Sequence, residues 1–181
     1  MIKKIIYVVR HCKAVGQPSE SPLTEEGLKQ SRYLVEFFSN KNIERIISSP
    51  FLRAIESVEP LSNNKNVKIE IDERLSERIL STTDLPDWYG KLKDTFKHKH
   101  LKFEGGESSN EAANRILNVV DDVFKSKIEN TLIVTHGNIM SLLLNHYNDK
   151  FGFDGWNNLS NPDVFQLILI KNEVHMERIW R

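Results

Sequence analysis

Runs of apolar residues alternate along the chain with segments in which apolar side chains recur every three or four positions. The first run, residues 2–9, is rich in β-branched residues and nearly continuous in apolar side chains, which predicts a strand buried on both faces. Five further runs predict strands, and the last two form a hairpin that turns at Lys171 and Asn172. These runs are residues 43–48, 67–71, 131–135, 164–170 and 174–180.

The segments between the runs predict helices with recognisable N-terminal caps. Thr24 is placed to cap a helix that ends near Asn40. The face that this helix buries consists of Leu28, Ser31, Val35 and Phe38. Ser49 followed by Pro50 predicts a second cap with proline at the first helical position, so that Arg53 lies in the first turn.

Two more helices are predicted beyond residue 107. Ser108 or Ser109 caps the first, and residues 139–144 open the second. The buried stripe of the first is Ala112, Ile116, Val119, Val123 and Phe124. Residues 76–107 are less regular apart from a helix at about 86–96, and an insertion of this length predicts a lid or a substrate wall.

The alternation of strands and helices predicts an α/β fold. We expect a three-layer αβα sandwich with a mostly parallel central sheet and an antiparallel C-terminal hairpin. A length of 181 residues suits a single domain that spans the whole chain.

Composition narrows the possible partners. The 25 basic residues balance the 25 acidic ones, which argues against nucleic-acid or membrane binding, and no feature identifies a protein partner. The single cysteine cannot form an internal disulfide, and the first apolar run is shorter than a signal or membrane segment. These features predict a cytoplasmic protein.

Candidate catalytic side chains lie at the ends of three predicted strands. In parallel sheets, ligands bind beyond the carboxyl ends of the strands. Arg10 and His11 follow the first strand, residues 49–53 follow the second, and His136 with Gly137 follows the strand at 131–135. We therefore expect two histidines and two arginines to meet at one edge of the sheet.

Two neighbouring residues, His11 and Cys12, compete as the nucleophile of such a site. A cysteine-dependent phosphatase loop has the form Cys-x5-Arg, but the sixth residue after Cys12 is Pro18, which also lacks an N–H for a phosphate. We interpret Cys12 as a small buried residue. A neutral imidazole at His11 is a competent nucleophile towards phosphorus, and Arg10, Arg53 and His136 can supply donors to the transferring group.

A metal is not expected. The six histidines are scattered, and neither clustered carboxylates nor a His-x3-His spacing supports a metal site. We expect no cofactor either.

These residues resemble the motifs of the histidine phosphatase superfamily, which is also called phosphoglycerate mutase-like. The matching stretches are "VVRHCKA", "SPLTEEGLKQS", "ISSPFLRAIES", "LSER", "GGES" and "IVTHGNIMSLLL". The resemblance implies that His11 becomes phosphorylated and that the phosphate pocket consists of Arg10, Arg53 and His136. It also implies that Glu77 is the proton donor, with Glu73 as the nearest rival.

One departure from the family pattern is that Cys12 stands where the family has glycine, which predicts backbone strain if the turn needs angles open only to glycine. Gln17 and Thr24 are candidate substrate-binding residues. Lys13, Ala14 and Val15 replace polar residues expected in mutases, which weakens the case for a mutase.

Three functions follow as hypotheses. The first is a metal-independent phosphatase that hydrolyses small phosphomonoesters through a phosphohistidine. The second is a phosphoglycerate mutase, and the third is a catalytically weak phospho-ligand-binding or regulatory protein in which Cys12 has spoiled the geometry of the nucleophile.

Overall fold

A computed structural model of the chain describes residues 3–180, which form a six-stranded sheet with helices on both faces. The strands are β1 (Lys4–Arg10), β2 (Arg45–Ser48), β3 (Ile69–Ile71), β4 (Asn130–Thr135), β5 (Asp163–Ile170) and β6 (Glu173–Arg178). Their order across the sheet is β3-β2-β4-β1-β5-β6. The first four run parallel, whereas β5 is antiparallel to β1 and β6 is antiparallel to β5. The predicted fold class is confirmed.

The helices are α1 (Glu25–Phe37), α2 (Leu52–Lys65), α3 (Trp88–Lys97), α4 (Ser109–Lys125), α5 (Gly137–Tyr147) and the short α6 (Phe153–Asn157). A 3-10 helix spans Glu73–Leu75. Residues of α1 and α2 share one apolar core with one face of the sheet, and residues of α4 and α5 share another with the opposite face.

Strand β1 explains why an unbroken apolar run is needed at the centre of the sheet. Ile6 and Val8 point into the core under α4 and α5, whereas Tyr7 and Val9 point into the core under α1 and α2. Burial of each such aliphatic side chain contributes about 1.5–3 kcal/mol of stability. The position of β1 between β4 and β5 therefore requires apolar residues throughout its centre, from Ile6 to Val9.

Several predicted caps and turns are present. Thr24 Oγ1 accepts a hydrogen bond from the Gly27 amide at 3.0 Å and caps α1. Ser108 and Glu111 form a reciprocal capping box at the start of α4. Lys171 and Asn172 both have positive φ, as a tight two-residue hairpin turn requires.

The predicted cap of α2 is wrong. The N-cap is Phe51 and the helix begins at Leu52, two residues after Pro50. The hydroxyl of Ser49 accepts from the Phe51 amide at 3.2 Å, ahead of the helix, and hydrogen-bonds to His136 Nε2 at 2.7 Å. Arg53 nevertheless lies in the first turn, as expected.

Other boundaries also differ. Strand β3 begins at Ile69 rather than at residue 67, because α2 runs on to Lys65 and closes with Asn66 in the left-handed conformation. Strand β6 ends at Arg178. Residue 2 of the first predicted strand lies outside the described residues. The short helix α6 and the 3-10 helix have too few residues to show a periodic pattern, and neither was predicted.

The parallel register brings the predicted strand ends together. Arg10 of β1 pairs with Thr135 of β4, and Ser48 of β2 pairs with Val134. The next residue along continues both ladders: the His11 amide donates to the Thr135 carbonyl and the Ser49 amide to the Val134 carbonyl, each at 3.0 Å. The three chain exits therefore lie side by side at one edge.

Candidate active site

His11 lies in a state that suits a nucleophile. Its Nδ1 is 2.6 Å from the Cys12 carbonyl, which can only accept, so Nδ1 carries the proton and Nε2 presents a lone pair. The pKa of His11 is lowered to about 4, mainly by burial and also by the charges of Arg53 and Arg10. The hydrogen bond to the Cys12 carbonyl raises the pKa but only partly offsets these effects. The imidazole is therefore neutral at pH 7.

Arg53 comes from the first turn of α2 and is only 2% exposed. Its Nε donates a 3.3 Å hydrogen bond to His11 Nε2, so the lone pair of Nε2 is the acceptor of this bond. Its Nη1 donates to the carbonyls of Gln17 and Pro18 at 2.9 and 2.8 Å. The loop after β1 therefore holds the guanidinium against the histidine.

Arg10 lies on the other side of the site, against the start of α5. Its Nη1 donates to the Leu159 carbonyl at 3.0 Å, while its buried Nε has no partner. A Cβ at Gly137 would lie 3.0 Å from the guanidinium carbon of Arg10, so glycine permits this close approach. The unpaired Nε–H is available to a ligand.

His136, the N-cap of α5, is fully buried beside His11, with the two ring centroids 5.1 Å apart. Burial, reinforced by the nearby His11, Arg53 and Arg10, lowers its pKa well below the usual range. The Ser49 hydroxyl bonds Nε2, and Nδ1 is buried without a partner. If Ser49 donates to Nε2, Nδ1 carries the proton and becomes a second uncommitted donor. Sequence patterns gave Ser49 only a capping role.

Glu77 sits over the N-terminus of α5. Its Oε1 accepts from the amides of Arg78 and Ile139 at 2.7 and 2.9 Å, and its Oε2 accepts from the Asn138 amide at 3.0 Å. Glu77 lines a cavity together with Arg10, whereas Glu73 is exposed in the 3-10 helix and lines neither cavity described below.

The segment that carries Glu77 is held by an ion pair between Arg115 and Glu107, and sequence reasoning missed this pair. Arg115 of α4 donates from Nη1 to the carbonyls of Arg74 and Ser76 at 2.7 and 2.8 Å, and from Nη2 to the Glu77 carbonyl at 3.3 Å. Its Nε bonds Glu107 at 2.7 Å. The "GGES" motif contains Glu107, but no local signal pointed to Arg115, which lies eight positions further along a helix.

Two adjoining cavities open beside these groups. The smaller, of about 220 Å³, includes Arg10, His11, Gln17, Glu77 and Gly137 in its lining. The larger, of about 350 Å³, shares Arg10, Gln17, Glu77 and Gly137. It adds Arg78, Leu80, Trp88, Leu92, Asn138 and Trp156.

Gln17 and Thr24, the two candidate substrate-binding residues, are placed differently. Gln17 lines both cavities. Thr24 lines neither, and its hydroxyl is occupied by the cap of α1 and by a 3.3 Å bond to the Lys13 carbonyl. The structure therefore brings Gln17 to the site and leaves Thr24 at a helix end.

Cys12 is fully buried, and its amide donates to Ser57 Oγ at 2.8 Å. Burial raises the pKa of its thiol to about 12. In the described part of the chain, the non-glycine residues with positive φ are Asn66, Asp87, Lys171 and Asn172, so Cys12 does not occupy backbone angles that favour glycine. The predicted strain is absent.

The fold and these side chains together define an α/β protein with a pocket suited to an anion, beside a neutral histidine at the carboxyl edge of its sheet. Comparison with known proteins identifies the group. Residues 6–178 match the family model described as "Histidine phosphatase superfamily (branch 1)". The chain belongs to this superfamily and is phosphoglycerate mutase-like, as its motifs indicated.

Similar proteins include phosphatases. The chain is 30% identical over 157 residues to the Hydrogenobacter thermophilus protein named "Putative phosphoserine phosphatase 2", covering 78% of this chain and 77% of the relative. It is 25% identical to phosphoserine phosphatase 1 of the same organism over 154 residues, which cover 74% and 70% of the two chains. These relatives support phosphatase activity.

Solved structures show the same fold. Mycobacterial glucosyl-3-phosphoglycerate phosphatase matches with a TM-score of 0.78 at 19% identity, covering 98% of this chain and 97% of that one. Bacillus stearothermophilus YhfR matches with a TM-score of 0.78 at 24% identity, covering 97% and 96%. Bacillus anthracis phosphoglycerate mutase matches with a TM-score of 0.77 at 17% identity, covering 98% and 92%.

Residues 3–180 show neither a metal-binding cluster nor a membrane-spanning helix. No group of three or more histidine, cysteine, aspartate or glutamate side chains there is arranged to hold a metal ion. Within the same residues, no helix has both the length and the apolar character needed to cross a bilayer.

Proposed function

We propose that the protein is a metal-independent phosphatase that hydrolyses small phosphomonoesters through a phosphohistidine at His11. The observation that carries the proposal is the state of His11. The Cys12 carbonyl, 2.6 Å from Nδ1, fixes the proton there and leaves the Nε2 lone pair as the nucleophile. Arg53 Nε donates to this lone pair at 3.3 Å, and an oxygen of a phosphoryl group at His11 would accept that N–H instead and free Nε2 for the attack.

Two buried polar atoms support a phosphate beside His11. Arg10 Nε and His136 Nδ1 have no hydrogen-bond partner. Leaving a buried polar atom unpaired costs about 1–3 kcal/mol, and phosphate oxygens would supply the missing acceptors. With Arg53, these donors surround the transferring group and replace the charge that a metal ion provides in other phosphotransfer enzymes.

The first chemical step forms the phosphoenzyme. His11 Nε2 attacks phosphorus, the bond to the ester oxygen breaks, and Glu77 gives that oxygen a proton. Oε1 of Glu77 accepts two backbone N–H bonds and Oε2 accepts one, so Oε2 retains a site for the proton. A positioned general acid contributes about 10²- to 10⁴-fold.

The second step releases phosphate. Glu77, now ionised, takes a proton from a water molecule that attacks the phosphorus of phospho-His11. The bond between nitrogen and phosphorus breaks, inorganic phosphate leaves, and His11 returns to its neutral state. Glu77 regains the proton that it lost in the first step, so the cycle needs no other reactant.

Hydrolysis is favoured over return of the phosphoryl group to a phosphoglycerate. The insertion at 76–107 contributes Leu80, Trp88 and Leu92 to the larger cavity, and their apolar surfaces offer little to hold a carboxylate. The likeness to a mutase at 17% identity concerns the fold alone. A catalytically weak binding protein is disfavoured, because Cys12 fits its position without left-handed backbone angles.

The test is product analysis with purified protein. Incubation with phosphomonoesters should release inorganic phosphate at a rate that a chelator leaves unchanged. Accumulation of 2-phosphoglycerate from 3-phosphoglycerate ahead of inorganic phosphate would favour the mutase. Restoration of chelated protein by one particular metal would contradict the metal-independent mechanism, and binding of phosphate without turnover would favour the binding protein.

A further inference from the structure

The larger cavity extends away from His11 to a wall that the proposed chemistry does not use. Leu80, Trp88 and Leu92 form one part of this wall, and Trp156 of α6 forms another. At about 350 Å³, the cavity falls in the range of small-molecule sites, so it can enclose the leaving group of a small phosphomonoester.

Aromatic contacts brace this wall. The ring centroids of Trp88 and Tyr89 are 5.7 Å apart, those of Tyr89 and Phe153 are 5.1 Å apart, and those of Phe153 and Trp156 are 5.3 Å apart. Tyr89 also donates to the Asn157 side chain at 3.2 Å. Helices α3 and α6 are thereby joined, and Trp88 remains 54% exposed.

The charged side chains in the lining of the larger cavity are already committed. Arg78 is 6% exposed, and its three nitrogens donate to the Glu107 carbonyl, Thr95 Oγ1 and Ser109 Oγ. Glu77 accepts three backbone N–H bonds. Arg10 belongs to the phosphate pocket. Among the described residues of this lining, no cation is left for a carboxylate on the leaving group. The remaining site on Glu77 Oε2 is the one that the proposed mechanism gives to the transferred proton, so it is not left for an ammonium.

One neutral polar side chain of the lining is uncommitted. Asn138 is 8% exposed, and both polar atoms of its amide are buried without a partner. A neutral amide offers one acceptor and two donors, which suits a hydroxyl or an ether oxygen better than a full charge.

From these observations, and resting on the proposed function, we propose that the preferred substrates are phosphomonoesters whose leaving group is uncharged and carries an aromatic ring. The ring packs on Trp88 and Trp156, and the phosphate lies beside His11. Zwitterionic or carboxylate-bearing esters, such as phosphoserine and the phosphoglycerates, are poor substrates because their charges would be buried without partners.

The test is a matched pair of synthetic substrates. Benzyl phosphate and 4-carboxybenzyl phosphate share the ring and the type of ester and differ in one charge. We expect kcat/KM for benzyl phosphate to exceed that for 4-carboxybenzyl phosphate and for phosphoserine by about tenfold or more. Equal or higher kcat/KM for either charged ester would overturn the substrate assignment while leaving the phosphatase proposal intact. Absence of phosphate release from every ester would overturn both.

Variants of Trp88 test whether the preference for an aromatic leaving group comes from the wall of the larger cavity. In Trp88→Ala, the ratio of kcat/KM for benzyl phosphate to that for n-propyl phosphate should fall about fivefold or more, and Trp88→Phe should retain most of it. The control is Tyr33→Ala, which removes an aromatic side chain that is 55% exposed outside the cavity and should leave the ratio unchanged. An unchanged ratio in Trp88→Ala would contradict the proposal.

Discussion

The phosphate end of the site, beside His11, and the far end, at the wall of the larger cavity, are built by different means. At the phosphate end, buried side chains come from residues that directly follow central strands, or from the first turn of a helix, and hydrogen bonds fix them, as in the bond from Arg53 Nη1 to the Gln17 carbonyl at 2.9 Å. At the far end, Trp88 comes from α3 and Trp156 from the five-residue α6, and aromatic packing with one hydrogen bond, from Tyr89 to Asn157, holds these two helices together.

This difference separates chemistry from substrate choice. Groups attached to the sheet cannot shift without disturbing both cores, which keeps His11, Arg10 and Arg53 in fixed positions relative to one another. The wall lies outside the sheet and can vary while the chemistry stays the same. Substitutions at the phosphate end should therefore lower turnover of every ester, whereas substitutions at the wall should change the ranking of esters.

The largest expected effect is the loss of turnover when His11, at the phosphate end, is replaced. His11→Asn removes the nucleophile but keeps a polar side chain of similar size, and we expect phosphate release to fall about 10⁴-fold or more for charged and uncharged esters alike. Steady-state assays on the substrate panel measure it, with circular dichroism to confirm folding. Near-normal turnover in His11→Asn, together with loss of activity in Cys12→Ser, would reverse the assignment of the nucleophile.

A smaller effect should distinguish the positioning of Glu77 from general damage to the site. In Arg115→Gln, the segment 76–77 loses its bonds from α4, so proton donation to the leaving oxygen should weaken. We expect kcat/KM for benzyl phosphate to fall about 10- to 100-fold. The decrease for 4-nitrophenyl phosphate should be a few-fold at most, because its leaving group needs little protonation.

Two controls accompany Arg115→Gln. Glu77→Gln should show the same dependence on the leaving group, more strongly. Arg45→Gln breaks a 2.6 Å ion pair with Glu70 at β3, on the edge of the sheet, and should show none. If Glu77→Gln discriminates between the esters and Arg115→Gln lowers both equally, the positioning role of Arg115 is wrong.

The free energy of unfolding should depend on pH through the buried side chain of His11. The pKa of His11 is about 4 in the folded protein, below its ordinary value, so the unfolded chain binds the proton first as the pH falls. The contribution of His11 to the free energy of unfolding is constant at neutral pH and decreases between about pH 6.5 and 4, below which it is constant again. The loss by pH 5 is about 2 kcal/mol. Urea unfolding at pH 7 and pH 5 measures this loss.

The comparison of variants isolates His11 from the other titrating groups. His11→Asn should show a smaller loss of stability between pH 7 and pH 5 than the unaltered protein. His98→Asn, which changes an exposed histidine at the end of α3, should show the same loss as the unaltered protein. An identical pH dependence in all three proteins would contradict the buried, neutral state of His11.

The smallest expected effect concerns Cys12. Because its thiol is buried and its backbone has no positive φ, Cys12→Gly should keep kcat/KM within about twofold, at a cost of roughly 2 kcal/mol in stability from the lost core side chain and the freer backbone of glycine. Activity assays and urea unfolding measure the two quantities. A loss of turnover comparable to that of His11→Asn would show that the thiol takes part in the chemistry.

Sequence reasoning reached the strand ends because their signals are local. The apolar runs before Arg10 and before His136 each predict a buried strand. Because parallel strands end at the same edge of a sheet, both residues are then expected at the carboxyl edge. The Ser49 hydroxyl was misassigned because a serine before proline has the same local pattern whether it caps a helix or, as here, bonds the histidine that follows another strand.

The long-range groups had no such signal. Arg115 lies 38 positions from Glu77, and only the packing of α4 against the 3-10 helix brings them together. The insertion was predicted to form a lid or a substrate wall, but the contribution of Trp156 was not, because its contact with Tyr89 depends on how two short helices pack.

The most direct test of the account is to trap the phosphoenzyme. Rapid quenching with ³²P-labelled benzyl phosphate should yield protein-bound label that is labile in acid and stable in base, that maps to the peptide carrying His11, and that passes into inorganic phosphate on a chase. His11→Asn should carry no label. Label on Cys12, or undiminished turnover by His11→Asn with no trapped label, would contradict phosphoryl transfer through His11.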